Sequence, residues 1–182
     1  MIEVQIEDGA WTRDLPQAEA VVKRSAEGAL NVLHRETGEG DPEGVEGACQ
    51  PHAPSVASRH LPRYTVEDES ISILLTDDDA LADLNARFLG KPKPTNVLSF
   101  PAPANPEGHL GDIALAYGVC AREASEQGKT LAQHLSHLTV HGVLHLLGYD
   151  HLSDGEAEVM EALERTVLEA LGVPDPYAVE RH

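Results

Sequence analysis

The chain has 182 residues, 41% of them hydrophobic, with 31 acidic against 13 basic side chains and a formal net charge of -18. That is enough apolar material for one domain with its own core; no run of it is long enough to span a bilayer, and the two cysteines, Cys49 and Cys120, build neither a disulfide framework nor a thiolate zinc site. Spread evenly, so much negative charge would exclude nucleic acid, but from Arg87 to Asp150 five basic residues balance five acidic ones and that segment is neutral.

In chain order, Ile2, Val4 and Ile6 alternate with polar residues and read as a short half-buried strand. This acidic, alternating start is not a secretory leader, and the chain reads as a cytoplasmic protein of a reducing compartment. Pro16 suits the first turn of a helix whose apolar stripe is Ala18, Val21, Val22, Ala29, Leu30 and Leu33. Residues 35–63, punctuated by glycines and prolines from Gly38 to Pro62, read as a long mobile loop insertion. Tyr64 to Leu75 returns to strand pattern, with Ile71, Ile73 and Leu75 on one face. Thr76 is the expected capping hydroxyl of a helix with Asp77, Asp78 and Asp79 at its start. The buried stripe of that helix is expected at Ala80, Leu81, Leu84 and Phe88, and its end at Gly90 and Pro92.

Val97 to Phe100 is a short strand, Ala102 to Leu110 a loop, and Gly111 to Ala116 another strand. A short helix runs to Gln127, where Gly128 stops it. Thr130 with Gln133 forms a capping box for a helix reaching about Leu147. Ser153 with Glu156 forms a second, for a last helix that buries Met160, Leu163, Val167 and Leu171. These elements predict an α+β fold over residues 1–182: a small mixed four-stranded sheet packed with about five helices, in a single domain.

The stretch His141-Gly142-Val143-Leu144-His145-Leu146-Leu147-Gly148-Tyr149-Asp150-His151 carries the chemistry. Residues four apart share a helix face, so His141 and His145 point at one spot. Gly148 allows a left-handed exit that swings His151 back toward it. Three imidazoles with a fourth position open hold a catalytic zinc, and nickel or copper accept the same donors. The same spacing marks the metzincin peptidases, in which Glu follows the first His. Gly142 stands in that place here, so the metal site is kept and the peptidase's general base is missing. His134 and His137 extend the histidine face along the helix, and Asp150 either orients a ligand imidazole or solvates the turn. A second stretch, Gly90-Lys91-Pro92-Lys93-Pro94-Thr95-Asn96-Val97-Leu98-Ser99-Phe100-Pro101, puts cations, hydroxyls and an amide on a stiff loop leading into a strand, donors of the kind phosphate oxygens take.

Together, 141–151 and Lys93-Pro94-Thr95-Asn96-Val97-Leu98-Ser99-Phe100-Pro101, with Gly111-Asp112-Ile113 and Asp175-Pro176-Tyr177, resemble the bacterial YbeY family over about residues 64–180. The resemblance implies a metal-dependent, single-strand-specific endoribonuclease acting in 16S rRNA 3′-end maturation and ribosome quality control. It implies zinc, one ion per chain, on His141, His145 and His151, and the small ribosomal subunit or its proteins as partners. Lys93, Thr95, Asn96 and Ser99 are the expected substrate-binding residues. The family usually carries an Arg just before the Gly-Lys of the second stretch. Leu89 occupies that place, and Arg87, two residues earlier, is the nearest cation. On this reading the metal polarises a phosphodiester and activates a water, with the RNA 2′-hydroxyl as the other candidate nucleophile. Two rivals remain: a zincin-type metallohydrolase of a non-RNA substrate, and a non-catalytic ribosome-assembly factor with structural zinc.

Overall fold

Alternation of apolar residues in three short stretches builds the sheet on which everything else rests. The computed structural model of the chain describes residues 1–38 and 69–178. The strands are β1 (Ile2–Ile6), β2 (Ser70–Thr76), β3 (Val97–Pro101) and β4 (His109–Ala116). Their order is β1-β2-β4-β3, with β1–β2 and β2–β4 parallel and β3–β4 antiparallel. Register puts Ile2, Val4 and Ile6 beside Ile71, Ile73 and Leu75, and Ile73 and Leu75 beside Ile113 and Leu115. One face of the sheet is therefore a continuous apolar layer.

Among the described residues six helices surround this sheet: α1 (Gly9–Asp14), α2 (Ala18–Gly38), α3 (Asp78–Leu89), α4 (Tyr117–Glu126), α5 (Leu131–Leu146) and α6 (Asp154–Ala170). The main core joins the apolar layer to α2, α5 and α6 through residues such as Val22, Ala26, Leu135, Val143, Leu144 and Val167. The opposite face keeps a smaller cluster of Leu81, Leu98, Ala114, Ala116 and Val119. β4 serves both, sending Ile113 and Leu115 one way and Ala114 and Ala116 the other, as a period of two requires. The fold is the expected α+β arrangement with a four-stranded mixed sheet.

Several details differ from the sequence reading. α1 was not expected; Asp8 caps it by accepting from Ala10 N at 2.9 Å, and it buries Trp11, whose indole donates to the Thr76 carbonyl at 3.0 Å. Thr76 belongs to β2, and the cap of α3 is Asp77, whose carboxylate accepts from Ala80 N at 2.7 Å. An aspartate one residue on wins because its stronger acceptor also meets the positive helix end. Phe88 is 64% exposed, resting against Phe100 with 5.0 Å between ring centroids, while Asn85 takes the buried position in α3. α2 runs on through residues 35–38, and the rest of the expected insertion, residues 39–63, lies outside the described residues together with 64–68.

At Gly111, φ is +143°, and a Cβ there would overlap the Phe100 carbonyl oxygen and press Leu146 Cδ2 at 2.8 Å. Gly90 also has positive φ, +67°, but open space around it. Gly90→Ala is expected to cost about 1 kcal/mol, from backbone preference alone. Gly111→Ala should cost about 3 kcal/mol or more, because a steric clash is added. Urea unfolding midpoints of the two variants check the difference; equal losses would contradict the packing described.

Candidate metal centre

The site is built on α5, which is held firmly at both ends. At its start Gln133 N donates to Thr130 Oγ1 at 3.1 Å and Thr130 N to Gln133 Oε1 at 3.0 Å, both arms of the capping box. At its end Gly148, with φ +94°, donates to the His145 carbonyl at 3.0 Å, and Tyr149 N to the Leu144 carbonyl at 3.1 Å. That pair is the Schellman pattern that glycine makes possible. The helix touches β3, β4, α2, α4 and α6, so most of its surface is core. Its remaining face carries His134, His137, His141 and His145 in file.

His141, His145 and His151 each offer a ring nitrogen within 4.8 Å of the others. His141 Nε2 and His145 Nε2 stand 3.1 Å apart. Two nitrogens each ~2.0–2.1 Å from a tetrahedral zinc lie roughly 3.3 Å apart, so the spacing suits one ion. Two bare lone pairs at that distance repel, and a shared proton or a cation removes the conflict. Burial, then the neighbouring His141 and His151, pushes the His145 pKa down, favouring the neutral form that ligates. His141 and His145 are half-buried and His151 is exposed, so the cluster opens to solvent on one side.

Glu164 was not expected at this site. It comes from α6, has no solvent exposure, and accepts from His141 Nδ1 at 2.6 Å and His137 Nε2 at 2.9 Å, as well as from the Tyr177 hydroxyl. Burial alone would raise its pKa; the hydrogen bonds from His137, His141 and Tyr177 outweigh it and hold the carboxyl at about 2. With the Nδ1 proton of His141 committed to Glu164, its Nε2 lone pair is left for a metal, the carboxylate–histidine arrangement that orients metal ligands. The sequence does carry a signal for it. Glu164 falls within the stripe Met160, Val167, Leu168, where an acid has no reason to be buried unless it is paired.

The other expected site residues are distributed less simply. Ser99 donates to the Gly142 carbonyl at 3.2 Å and so ties β3 to α5. The Asn96 amide is committed, its Nδ2 to Glu123 Oε2 at 3.0 Å and its Oδ1 to Val97 N at 2.7 Å. The Lys93 carbonyl accepts from Asn85 Nδ2, its side chain is exposed, and Thr95 is half-buried. Arg87 pairs with Asp83 at 2.8 Å on the exposed side of α3, and Leu89 is 57% exposed. Asp150 accepts from His151 N at 2.8 Å, closing the turn. His134 Nε2 donates to Glu123 Oε2 at 2.8 Å, and burial pushes the His134 pKa down against that carboxylate. A Cβ on Gly142 would sit 3.0–3.1 Å from Ile113 and 3.2 Å from Ser99 Oγ, so a larger residue there would have to push those side chains aside.

A family model described as Endoribonuclease YbeY matches residues 50–172. An endoribonuclease YbeY of Rhodopseudomonas palustris (strain BisB5) is 42% identical across 97% of this chain and 80% of its own length. One of Bradyrhizobium sp. is 58% identical across 62% of this chain and 72% of its own. The solution structure of a Thermotoga maritima protein aligns with all of this chain and 98% of its own at 19% identity and a TM-score of 0.48, too loose a likeness to carry an argument.

Removing the Glu164 carboxylate frees the His141 ring and strands the His137 and Tyr177 donors. Glu164→Ala is therefore expected to weaken zinc binding by about 10–100-fold, measured by competition with a chromophoric chelator. Tyr177→Phe, which removes one of three donors and leaves His141 held, should change it by less than roughly threefold. Unchanged affinity in Glu164→Ala would contradict the orienting role.

Proposed function

The chain belongs to the endoribonuclease YbeY family, and from that membership and the three-imidazole cluster we propose that it is a zinc-dependent endoribonuclease that cuts single-stranded RNA. The proposed setting is the cytoplasm, in 16S rRNA 3′-end maturation and ribosome quality control, on the small ribosomal subunit. No helix among the described residues is long and apolar enough to cross a membrane. The observation that carries the chemistry is the convergence of His141, His145 and His151, with an open side and a carboxylate behind His141.

His141, His145 and His151 would hold the ion, and zinc bound there supplies a Lewis acid for the phosphodiester and eases ionisation of an attacking water near neutral pH. The protein's own contribution is positional. Glu164 fixes the tautomer and angle of His141. The Schellman turn at Gly148 fixes where His151 returns. Lys93, Thr95, Asn96 and Ser99, on and before β3, are the proposed phosphate-side residues; Ser99 and Asn96 act by shaping the approach, since their polar atoms are already bonded within the protein. Arg87 is the proposed stand-in for the family arginine.

Two observations weigh against the rivals. A peptidase of this spacing needs a carboxylate at position 142, where this chain has a glycine, and a Cβ there would press on Ile113 at 3.0–3.1 Å. A structural zinc is enclosed by four protein ligands, whereas the cluster among the described residues has three, with His151 exposed.

His145→Ala is expected to lose bound zinc and cleavage of a single-stranded RNA together, both falling to background, with the unfolding midpoint little changed. Full cleavage by the zinc-free variant would overturn the assignment. Product ends decide the nucleophile: a 2′,3′-cyclic phosphate would assign attack to the RNA 2′-hydroxyl rather than to water. Leu89→Arg, at an exposed position, is expected to raise the cleavage rate about tenfold if a cation at that place stabilises developing charge on phosphate; a rate no higher than wild type would leave that role with Arg87.

A further inference from the structure

A groove of about 410 Å³ extends from His141 along the histidine face of α5 to His134, and Asn96, Glu123, Lys129 and Tyr177 also line it. One end is therefore a proposed metal ligand, and whatever fills the groove lies beside the reacting phosphate. The volume is that of a small-molecule pocket. Its chemistry is unlike that of a phosphate site. Among the described residues Lys129 is the one lysine or arginine lining it, and its ammonium is already spent on the Gln127 side chain at 2.8 Å and the Pro176 carbonyl at 2.9 Å.

What the groove does offer is a positioned acceptor. Glu123 Oε2 is clamped by Asn96 Nδ2 at 3.0 Å and His134 Nε2 at 2.8 Å, which fixes the carboxylate and leaves Oε1 without a partner among the described residues. Glu123 keeps 29% of its side chain exposed, and His134, which holds it, keeps 3%. Two flat rings stand with it. His137 and Tyr177 meet edge to face with centroids 5.4 Å apart, and Tyr177 is pinned by Glu164 and by Arg165 over its ring at 4.9 Å. His134 and His137 each keep a buried Nδ1 with no hydrogen-bond partner among the described residues. Fixed aromatic rings beside a fixed carboxylate suit a flat heterocycle that stacks and donates a hydrogen bond.

Resting on the endoribonuclease reading above, we propose that this groove is a nucleobase subsite selecting a base with an exocyclic amino group over uracil, with Glu123 as the acceptor. Cytosine and uracil test the point: at position 4 they differ by an amino donor against a carbonyl acceptor, and at N3 by an acceptor against an N–H donor. With position 4 toward Glu123 Oε1, cytosine gains a charge-assisted hydrogen bond from its amino group, whereas the uracil carbonyl meets repulsion and only its N3–H can donate.

The test is binding of fluorescein-labelled oligo(C) and oligo(U) of equal length to the zinc-loaded full chain, followed by anisotropy, in wild type and Glu123→Gln. Wild type is expected to bind oligo(C) about tenfold more tightly. The ratio should fall to about twofold or less in Glu123→Gln, whose amide can donate to the uracil carbonyl as well as accept. Zinc content and unfolding midpoint show whether that variant is intact, and the wild-type ratio decides the matter without it. Equal affinity of wild type for the two oligonucleotides, binding of neither, or an unchanged ratio in an intact Glu123→Gln overturns the subsite. A cytosine preference without cleavage of either oligonucleotide supports the subsite and counts against the nuclease reading, so the two failures are distinct.

Discussion

Where α6 crosses α5, one carboxylate with no access to water receives three hydrogen bonds, from His137, His141 and Tyr177. An unpaired charge in such a place would cost several kcal/mol, so the three donors and the acid are fixed together or not at all. Glu164 thus joins the last helix, the C-terminal turn carrying Tyr177 and the histidine helix into one rigid unit. The ring of His141 inherits that rigidity, and His145 and His151 are placed relative to it. A three-histidine site assembled only from a helix and a flexible turn would lack this anchor.

The same helix has to serve as core and as site. α5 is buried along most of its length by Leu135, Val140, Val143 and Leu144, and touches five other elements. Only a narrow file remains for ligands, and a spacing of four keeps His137, His141 and His145 within it. Gly142 belongs to that arrangement: the face one residue on lies against Ile113 of β4, where a Cβ would come within 3.0–3.1 Å of that side chain, and glycine itself carries no general base.

Much of this was legible in the sequence because the signals were local. Both capping boxes, the glycine exits at 128 and 148, and the period-two strands fall where residue type dictates backbone behaviour within a few positions. The three histidines were legible for the same reason, since a helix and one turn bring them together without help from elsewhere. Glu164 was legible only as an acid set in an apolar stripe, and Glu123 looks like surface. Neither shows its partner until tertiary packing brings a donor to it, from 23 residues away for His141 and 11 for His134. Phe88 failed in the opposite sense: its helical spacing is that of a core residue, but the cover over α3 extends through Leu81, Leu84 and Asn85 and not to its last turn, and the ring is left beside Phe100. Thr76 was misplaced by a single residue because two adjacent side chains were both competent caps.

The central claim is that one metal ion on three imidazoles carries the reaction. Stepwise return of zinc to the metal-free wild-type protein, with bound metal and RNA cleavage followed in the same samples, tests it most directly. Cleavage is expected to rise in proportion to bound zinc and to level off at one ion per chain. Cleavage at full rate before any zinc is added would contradict it.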